Sequence, residues 1–105
     1  MKGEDEMGIN FIETSPILGD QTQWFDVQTK GTIGVFIDEV LKLNDRWVTI
    51  SILHGDDGIF SPNREDYNFY NWKKAEDFPT EYLEMKPKQI SANGGWGRMD
   101  YFVRI

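Results

Sequence analysis

The sequence contains no cysteine. A disulfide framework, a thiolate zinc site and a cysteine nucleophile are therefore excluded. Histidine is almost as scarce, because His54 is the only one, and no second His or Cys is present to complete a ligand set around it. We therefore expect neither a metal nor a cofactor.

Long apolar runs are missing as well. No stretch approaches the roughly 20 residues that a membrane-spanning helix needs. Residues 1–7 are acidic, whereas a signal peptide would be basic and then apolar. We interpret residues 1–7 as a flexible acidic tail and residues 8–105 as a single domain, and we expect a cytoplasmic protein without a membrane association.

Positive charge is scarce: 11 Lys and Arg stand against 18 Asp and Glu, a net charge of −7. A surface of this sign repels phosphate backbones, which disfavours direct nucleic-acid binding, and it attracts basic protein surfaces. The simpler alternative is that the acidic residues only keep the protein soluble.

Familiar catalytic motifs are not found in the sequence. The nucleophile elbow Gly-x-Ser-x-Gly, the P-loop and the Gly-x-Gly-x-x-Gly pattern do not occur. Two of the dispersed carboxylates could meet in space as the acid and base of a glycosidase, but the sequence does not decide this, and so short a chain seldom builds the necessary cleft. We therefore expect a protein that is not an enzyme.

Aromatic residues, by contrast, are abundant at 14% of the chain. They bury large areas per residue, so a core can form even though the mean hydropathy is −0.55.

The most regular pattern follows Gly31, where apolar residues recur at spacings of three and four, as on one face of an amphipathic helix. Thr32 is predicted to cap this helix because its hydroxyl can accept a bond from a free backbone N–H. Asp38 and Lys42 are predicted to form an i,i+4 ion pair, and the helix should end at residues 44–45. The apolar face consists of Ile33, Phe36, Ile37, Val40 and Leu41.

Alternating or β-branched segments indicate strands. A short helix is predicted over residues 80–85 with Thr80 as its cap, and residues 93–97 are predicted to link a hairpin. The fold class is therefore α+β, with one main amphipathic helix packed on an antiparallel or mixed sheet of about six strands and a second short helix. The predicted strands are residues 8–12, 23–29, 46–54, 67–72, 88–92 and 98–105, with a possible return strand at 58–61.

The aromatic segment 67–72 is a candidate binding surface. One set of its side chains faces the core, and the other set, which includes Tyr70 and Trp72, can be exposed beside amides. Exposed aromatics of this kind stack on sugars or bases or anchor a protein partner. The alternative is that both faces of the strand are covered.

The glycine-rich link offers a second candidate, with Trp96 and Arg98 as a flat ring and a fork of donors for a phosphate, carboxylate or base. Hairpins carry glycine by default, however. In the structural alternative Trp96 folds back onto the core and Arg98 pairs with Asp100.

His54 precedes Asp56 and Asp57 at the end of a predicted strand. A histidine with two carboxylates can bind a metal or act as a base. Asp and Gly are also ordinary turn residues, so a structural role for this trio is favoured.

Residues 91–101 read Ser-Ala-Asn-Gly-Gly-Trp-Gly-Arg-Met-Asp-Tyr. This ending resembles that of short uncharacterised proteins of bacterial mobile elements and phages, and residues 31–37 and 78–83 are similar in kind. The resemblance implies an accessory or host-interaction role and assigns no residue a function.

The sequence favours a small acidic, non-enzymatic binding protein that engages a basic protein partner through Tyr70, Trp72, Trp96 and Arg98. A phage-type inhibitor is one version. The alternative is a nucleotide- or sugar-binding protein that uses Arg98 and an aromatic ring. A small hydrolase based on His54 with Asp56 or Asp57 is the third hypothesis.

Overall fold

The computed structural model describes residues 9–14, 23–43, 47–70, 73–95 and 97–105. Within these residues the elements follow one another in the order ββαββαββ. The strands are β1 (Ile9–Glu13), β2 (Gln23–Thr29), β3 (Trp47–Leu53), β4 (Glu65–Tyr70), β5 (Gln89–Gly95) and β6 (Arg98–Arg104), and the helices are α1 (Ile33–Leu43) and α2 (Thr80–Leu83).

The six strands form one mixed sheet in the spatial order β1-β2-β5-β6-β3-β4. Neighbouring strands are antiparallel except for β3 and β6, which are parallel and lie in the interior of the sheet. With one main helix and one short helix, this is the predicted α+β class.

Helix α1 buries its apolar stripe against one face of the sheet, as its periodicity predicts. The Thr32 hydroxyl accepts a bond from the Val35 N–H at 3.4 Å, which confirms the N-cap. Each strand contributes alternate side chains to the same core. The core members from the sheet that have 0% exposure are Val48, Ile50, Ile52, Ala92, Tyr101 and Val103.

The opposite face of the sheet, here called the polar face, carries the other half of each alternation. On β3 these side chains include Trp47, Thr49 and Ser51, as the sequence predicts. Thr49 and Ser51 are only 8% and 2% exposed, respectively. Both hydroxyls are hydrogen-bonded to side chains of β4, which satisfies the polar groups that the sheet buries.

Three local predictions are wrong. Residues 58–61 form a turn in which the Ser61 N–H donates to the Gly58 carbonyl at 3.0 Å, so no return strand is present there. Helix α2 has Pro79 rather than Thr80 at its N-cap and no side-chain cap bond. The observed ion pair of Asp38 is with Lys74 (2.7 Å), which is distant in sequence, instead of with Lys42.

The β5–β6 hairpin is tighter than predicted, because β5 continues to Gly95 and pairs there with Arg98. Only residues 96–97 connect the strands. Gly97 has a φ of 69°, a value that L side chains rarely adopt. No helix in the described part of the chain is long and apolar enough to cross a membrane.

Candidate functional site

Three adjacent strands bring Trp47, Tyr70 and Arg98 together on the polar face. Trp47 at the start of β3 pairs in register with Tyr70 at the end of β4 and with Arg98 at the start of β6. Directly opposed residues of paired strands point to the same face and touch one another. These three side chains are called the aromatic patch below.

The patch is compact and partly exposed. The rings of Trp47 and Tyr70 meet edge to face, with their centroids 5.0 Å apart and with 38% and 55% of the two residues exposed, respectively. The Arg98 guanidinium lies 5.9 Å from the Trp47 ring centroid, within the range of a cation–π contact. A partner would therefore meet two aromatic groups and a cation at once.

Hydrogen bonds fix the orientation of the patch. The Trp47 indole N–H lies 3.2 Å from both Thr49 Oγ1 and Asn68 Oδ1, and the Thr49 hydroxyl donates to the same amide oxygen at 3.0 Å. Arg98 donates to Asp100 at 2.8 Å. Because these side chains are held before any partner arrives, less conformational entropy is lost on binding.

A polar pocket of about 230 Å³ adjoins the patch between β4 and β6. Its walls carry two Arg–Asp pairs, Arg64 with Asp66 at 3.2 Å and Arg98 with Asp100. The Ser51 hydroxyl donates to Asp66 at 2.7 Å from the pocket floor. The fixed charges of the pocket thus cancel locally.

Two of the predicted binding residues, Tyr70 and Arg98, meet the same Trp47 ring, and the alternative in which Arg98 pairs with Asp100 also holds. Trp72 and Trp96 lie outside the described residues. The alternation along β3 predicts Trp47 on this face, but Trp47 is not among the predicted site residues. The sequence does contain a signal for its position: Val48 and Ile50 face the core, so Trp47, one position before Val48, faces the other way.

His54 contacts a different carboxylate from the predicted ones. Its Nε2 lies 2.5 Å from Glu65 Oε2, across the β3–β4 pair. Asp57 instead donates its backbone N–H to the His54 carbonyl at 3.0 Å, and Arg104 donates to the Gly55 and Asp57 carbonyls. The Asp56–Asp57 segment therefore shapes a turn, which is the structural role that the sequence favours.

Glu65 receives three hydrogen bonds in all. The hydroxyls of Tyr67 and Tyr82 donate to its two oxygens at 2.8 Å each. Since both oxygens are acceptors, we assign the His54 Nε2–H as the third donor. This group, here called the Glu65 cluster, joins the end of β3, the start of β4 and helix α2.

Hydrogen bonds and burial shift the pKa values of Glu65, Tyr67 and Tyr82. The hydrogen bond from His54, assisted by those from Tyr82 and Tyr67, lowers the pKa of Glu65 despite its partial desolvation. Desolvation first, and then the bond to Glu65, raises the pKa of Tyr67 and of Tyr82 to about 12. The cluster therefore holds one carboxylate and two neutral phenols at neutral pH.

The cluster can orient an imidazole as a base, because a carboxylate that accepts one ring N–H leaves the other nitrogen as an acceptor. It also ties α2 to the sheet. Within the described ranges, no group of three or more His, Asp or Glu side chains is placed to hold a metal ion.

Comparison of the chain with protein-family models, with curated proteins and with solved structures found no match.

Proposed function

We propose that this protein is a non-enzymatic binding protein that engages a basic protein partner through the aromatic patch. The observation that carries the proposal is the contact among Trp47, Tyr70 and Arg98 on one exposed face. Trp, Tyr and Arg are the residue types enriched at the energetic centres of protein interfaces. All three residues lie on strands, and the side chains of Trp47 and Arg98 are hydrogen-bonded, which supplies the rigidity that such centres require.

The charge of the molecule supports a basic partner. The whole chain carries a net charge of −7, whereas Asp66 and Asp100 beside the patch are paired with Arg64 and Arg98. The field of the whole acidic molecule therefore steers a basic surface toward it and raises the association rate. An accessory or inhibitory role is the version of this function that fits the resemblance to short phage and mobile-element proteins.

The alternative small-ligand function gives Arg98 the task of binding an anion. In the structure the Arg98 Nε and one terminal nitrogen both donate to Asp100, at 3.2 and 2.8 Å. An incoming anion would have to compete with this carboxylate. The pairing therefore supports the protein-binding proposal over a nucleotide or sugar-phosphate site.

The test uses Tyr70→Ala, with Phe60→Ala as the matched control. Phe60 is 89% exposed and lies in the turn between β3 and β4, away from the patch. The partner is first purified from an extract of the source organism on tagged wild-type protein. Calorimetry then gives the Kd of the purified partner for each variant. We expect Tyr70→Ala to weaken binding by about tenfold or more and Phe60→Ala to leave it unchanged.

Salt provides the second measurement. We expect Kd to rise steeply between low and high ionic strength, because exposed charges are screened. Equal losses in the Tyr70→Ala and Phe60→Ala variants, or a Kd that does not respond to salt, would contradict the proposal.

A further inference from the structure

A second cavity, distinct from the aromatic patch, lies on the helix side of the sheet. It has a volume of about 480 Å³ and is bounded by α1, α2 and the segment that precedes α2. We call it the α1–α2 pocket. Its volume falls within the range of about 300–1,000 Å³ that small-molecule sites typically occupy.

The interior of the α1–α2 pocket is apolar. Ile37 and Phe69 belong to the buried core and form part of its lining. Phe78 and Leu83 enclose it from the side of α2, and Val35, which is 46% exposed, adds an apolar group from α1. Such a lining gains free energy by removing an aromatic or alkyl group from water.

The lining also carries charged side chains, and these favour a positively charged ligand. Asp38 and Glu76 supply two carboxylates, whereas Lys74 supplies one ammonium that pairs with Asp38 at 2.7 Å. An incoming cation has to compete with Lys74, but the Lys74–Asp38 pair is a single bond between side chains that are 63% and 54% exposed, whereas Arg98 donates two bonds to Asp100, which is only 22% exposed. A ligand anion would face the excess carboxylate and the net charge of −7.

We propose that the α1–α2 pocket binds a small hydrophobic amine, with its aromatic or alkyl group among Phe69, Phe78 and Leu83 and its ammonium at Asp38. This site is independent of the proposed protein-binding function, because Phe69 and Tyr70 point to opposite faces of β4. Failure of one proposal leaves the other intact.

The test compares three probes of one shape: 3-phenylpropylamine, 3-phenylpropan-1-ol and 3-phenylpropanoate. We expect calorimetry to show that the amine binds wild-type protein about tenfold more tightly than the carboxylate, with the alcohol between them. The amide signals of Gly34 and Leu83, which line the pocket, should shift in ¹H–¹⁵N spectra on titration with the amine.

Two variants probe the two parts of the site. Ala75→Leu fills the pocket from a segment outside the helices and strands, and we expect it to weaken all three probes. Asp38→Asn should remove the preference for the amine over the alcohol, whereas Asp56→Asn, at an exposed turn, should preserve it.

Three outcomes would overturn the proposal: no binding of the amine to wild-type protein at millimolar concentration, equal binding of the carboxylate, or an unchanged preference in Asp38→Asn. Asp38 is more than half exposed, so this variant keeps the test decisive even if Ala75→Leu does not fold.

Discussion

Glu65 joins three parts of the chain through one carboxylate. It accepts hydrogen bonds from His54, which follows β3, from Tyr67 in β4 and from Tyr82 in α2. Hydrogen bonds to an ionised group are stronger than those between neutral groups. The ionised form of Glu65 is therefore the form that the fold stabilises.

We expect Glu65→Gln to reduce the free energy of unfolding at pH 7 by about 1–2 kcal/mol, because it removes charge-assisted bonds at a partly exposed site. Since the folded-state pKa of Glu65 lies below its ordinary value of 4.5, this stabilisation is present above pH 4.5 and is lost as the pH falls through the folded-state pKa. The measurement is urea unfolding of both proteins at a series of pH values.

The gap between the wild-type protein and Glu65→Gln should close in acid. Asp56→Asn, in an exposed turn, serves as the control and should match wild type throughout. A gap that persists undiminished at pH 3 would show that Glu65 stabilises the fold by packing and not by its charge.

Among elements, α1 contacts α2 and the residues that follow it partly through backbone groups. The Ile33 N–H at the start of α1 donates to the Met85 carbonyl at 2.8 Å, which satisfies one of the free donors of the helix terminus. Gly34 sits beside Leu83, so close that an added Cβ would lie 3.0 Å from the Leu83 carbonyl oxygen.

Gly34→Ala is expected to lower the free energy of unfolding by about 1 kcal/mol, although Ala is the better helix former. The propensity gain of about 1 kcal/mol is outweighed by an overpacking cost of about 1–3 kcal/mol, because the Tyr82 bond to Glu65 keeps α2 from moving away. Chemical denaturation measures the change.

Gly58→Ala is the matched control, since a Cβ there meets no atom within 4 Å. It should be neutral or stabilising by up to about 1 kcal/mol. If Gly34→Ala proved as stable as Gly58→Ala, the two helices would be more loosely joined than the close approach implies.

The sequence predicts a helix or strand correctly where a periodic pattern within the segment itself specifies that element. The 3.6-residue period of α1 and the alternation of Val48, Ile50 and Ile52 are set by the core on one side, so both were read correctly. The return strand at 58–61 failed because β4 begins later, at Glu65, and pairs with β3 across a longer loop. The spatial order of the strands depends on contacts between distant residues that no local pattern encodes.

The candidate sites show the same difference between local patterns, which the sequence reveals, and contacts between distant residues, which it does not. Tyr70 and Arg98 were identified from residue type and from their place on strands, whereas their meeting at Trp47 depends on the β4-β3-β6 order. Glu65 was missed as the partner of His54 because eleven residues separate them. Asp56 and Asp57 are nearer to His54 in the sequence, but they form a turn whose contacts with His54 and Arg104 are made by backbone groups.

At the scale of the whole molecule, the strands differ in how much they contribute to the stability of the sheet. Strand β6 pairs with both β5 and β3, and its Tyr101 and Val103 are fully buried. Strand β1 lies at the edge and pairs only with β2. Removal of a central strand should therefore cost far more than removal of an edge strand.

We expect a variant that lacks residues 98–105 to show no cooperative thermal transition by circular dichroism, since two strand interfaces are lost. A variant that lacks residues 1–14 should still melt cooperatively, with Tm lowered by about 10–20 °C for the loss of the buried Ile9 and the half-buried Phe11. A cooperative transition in the first variant, or its absence in the second, would contradict this ranking of the strands.

The parallel pairing of β6 with β3 also has a consequence for synthesis on the ribosome. Strands β1 and β2 form one antiparallel pair and β3 with β4 forms another, and the β5–β6 hairpin lies between the two pairs. Because β5 and β6 are the last two of the six strands along the chain, both pairs emerge from the ribosome before the hairpin that joins them. Until the hairpin emerges, β2 and β3 each present an unpaired edge. The nascent protein should therefore bind chaperones most strongly before residues 89–104 emerge.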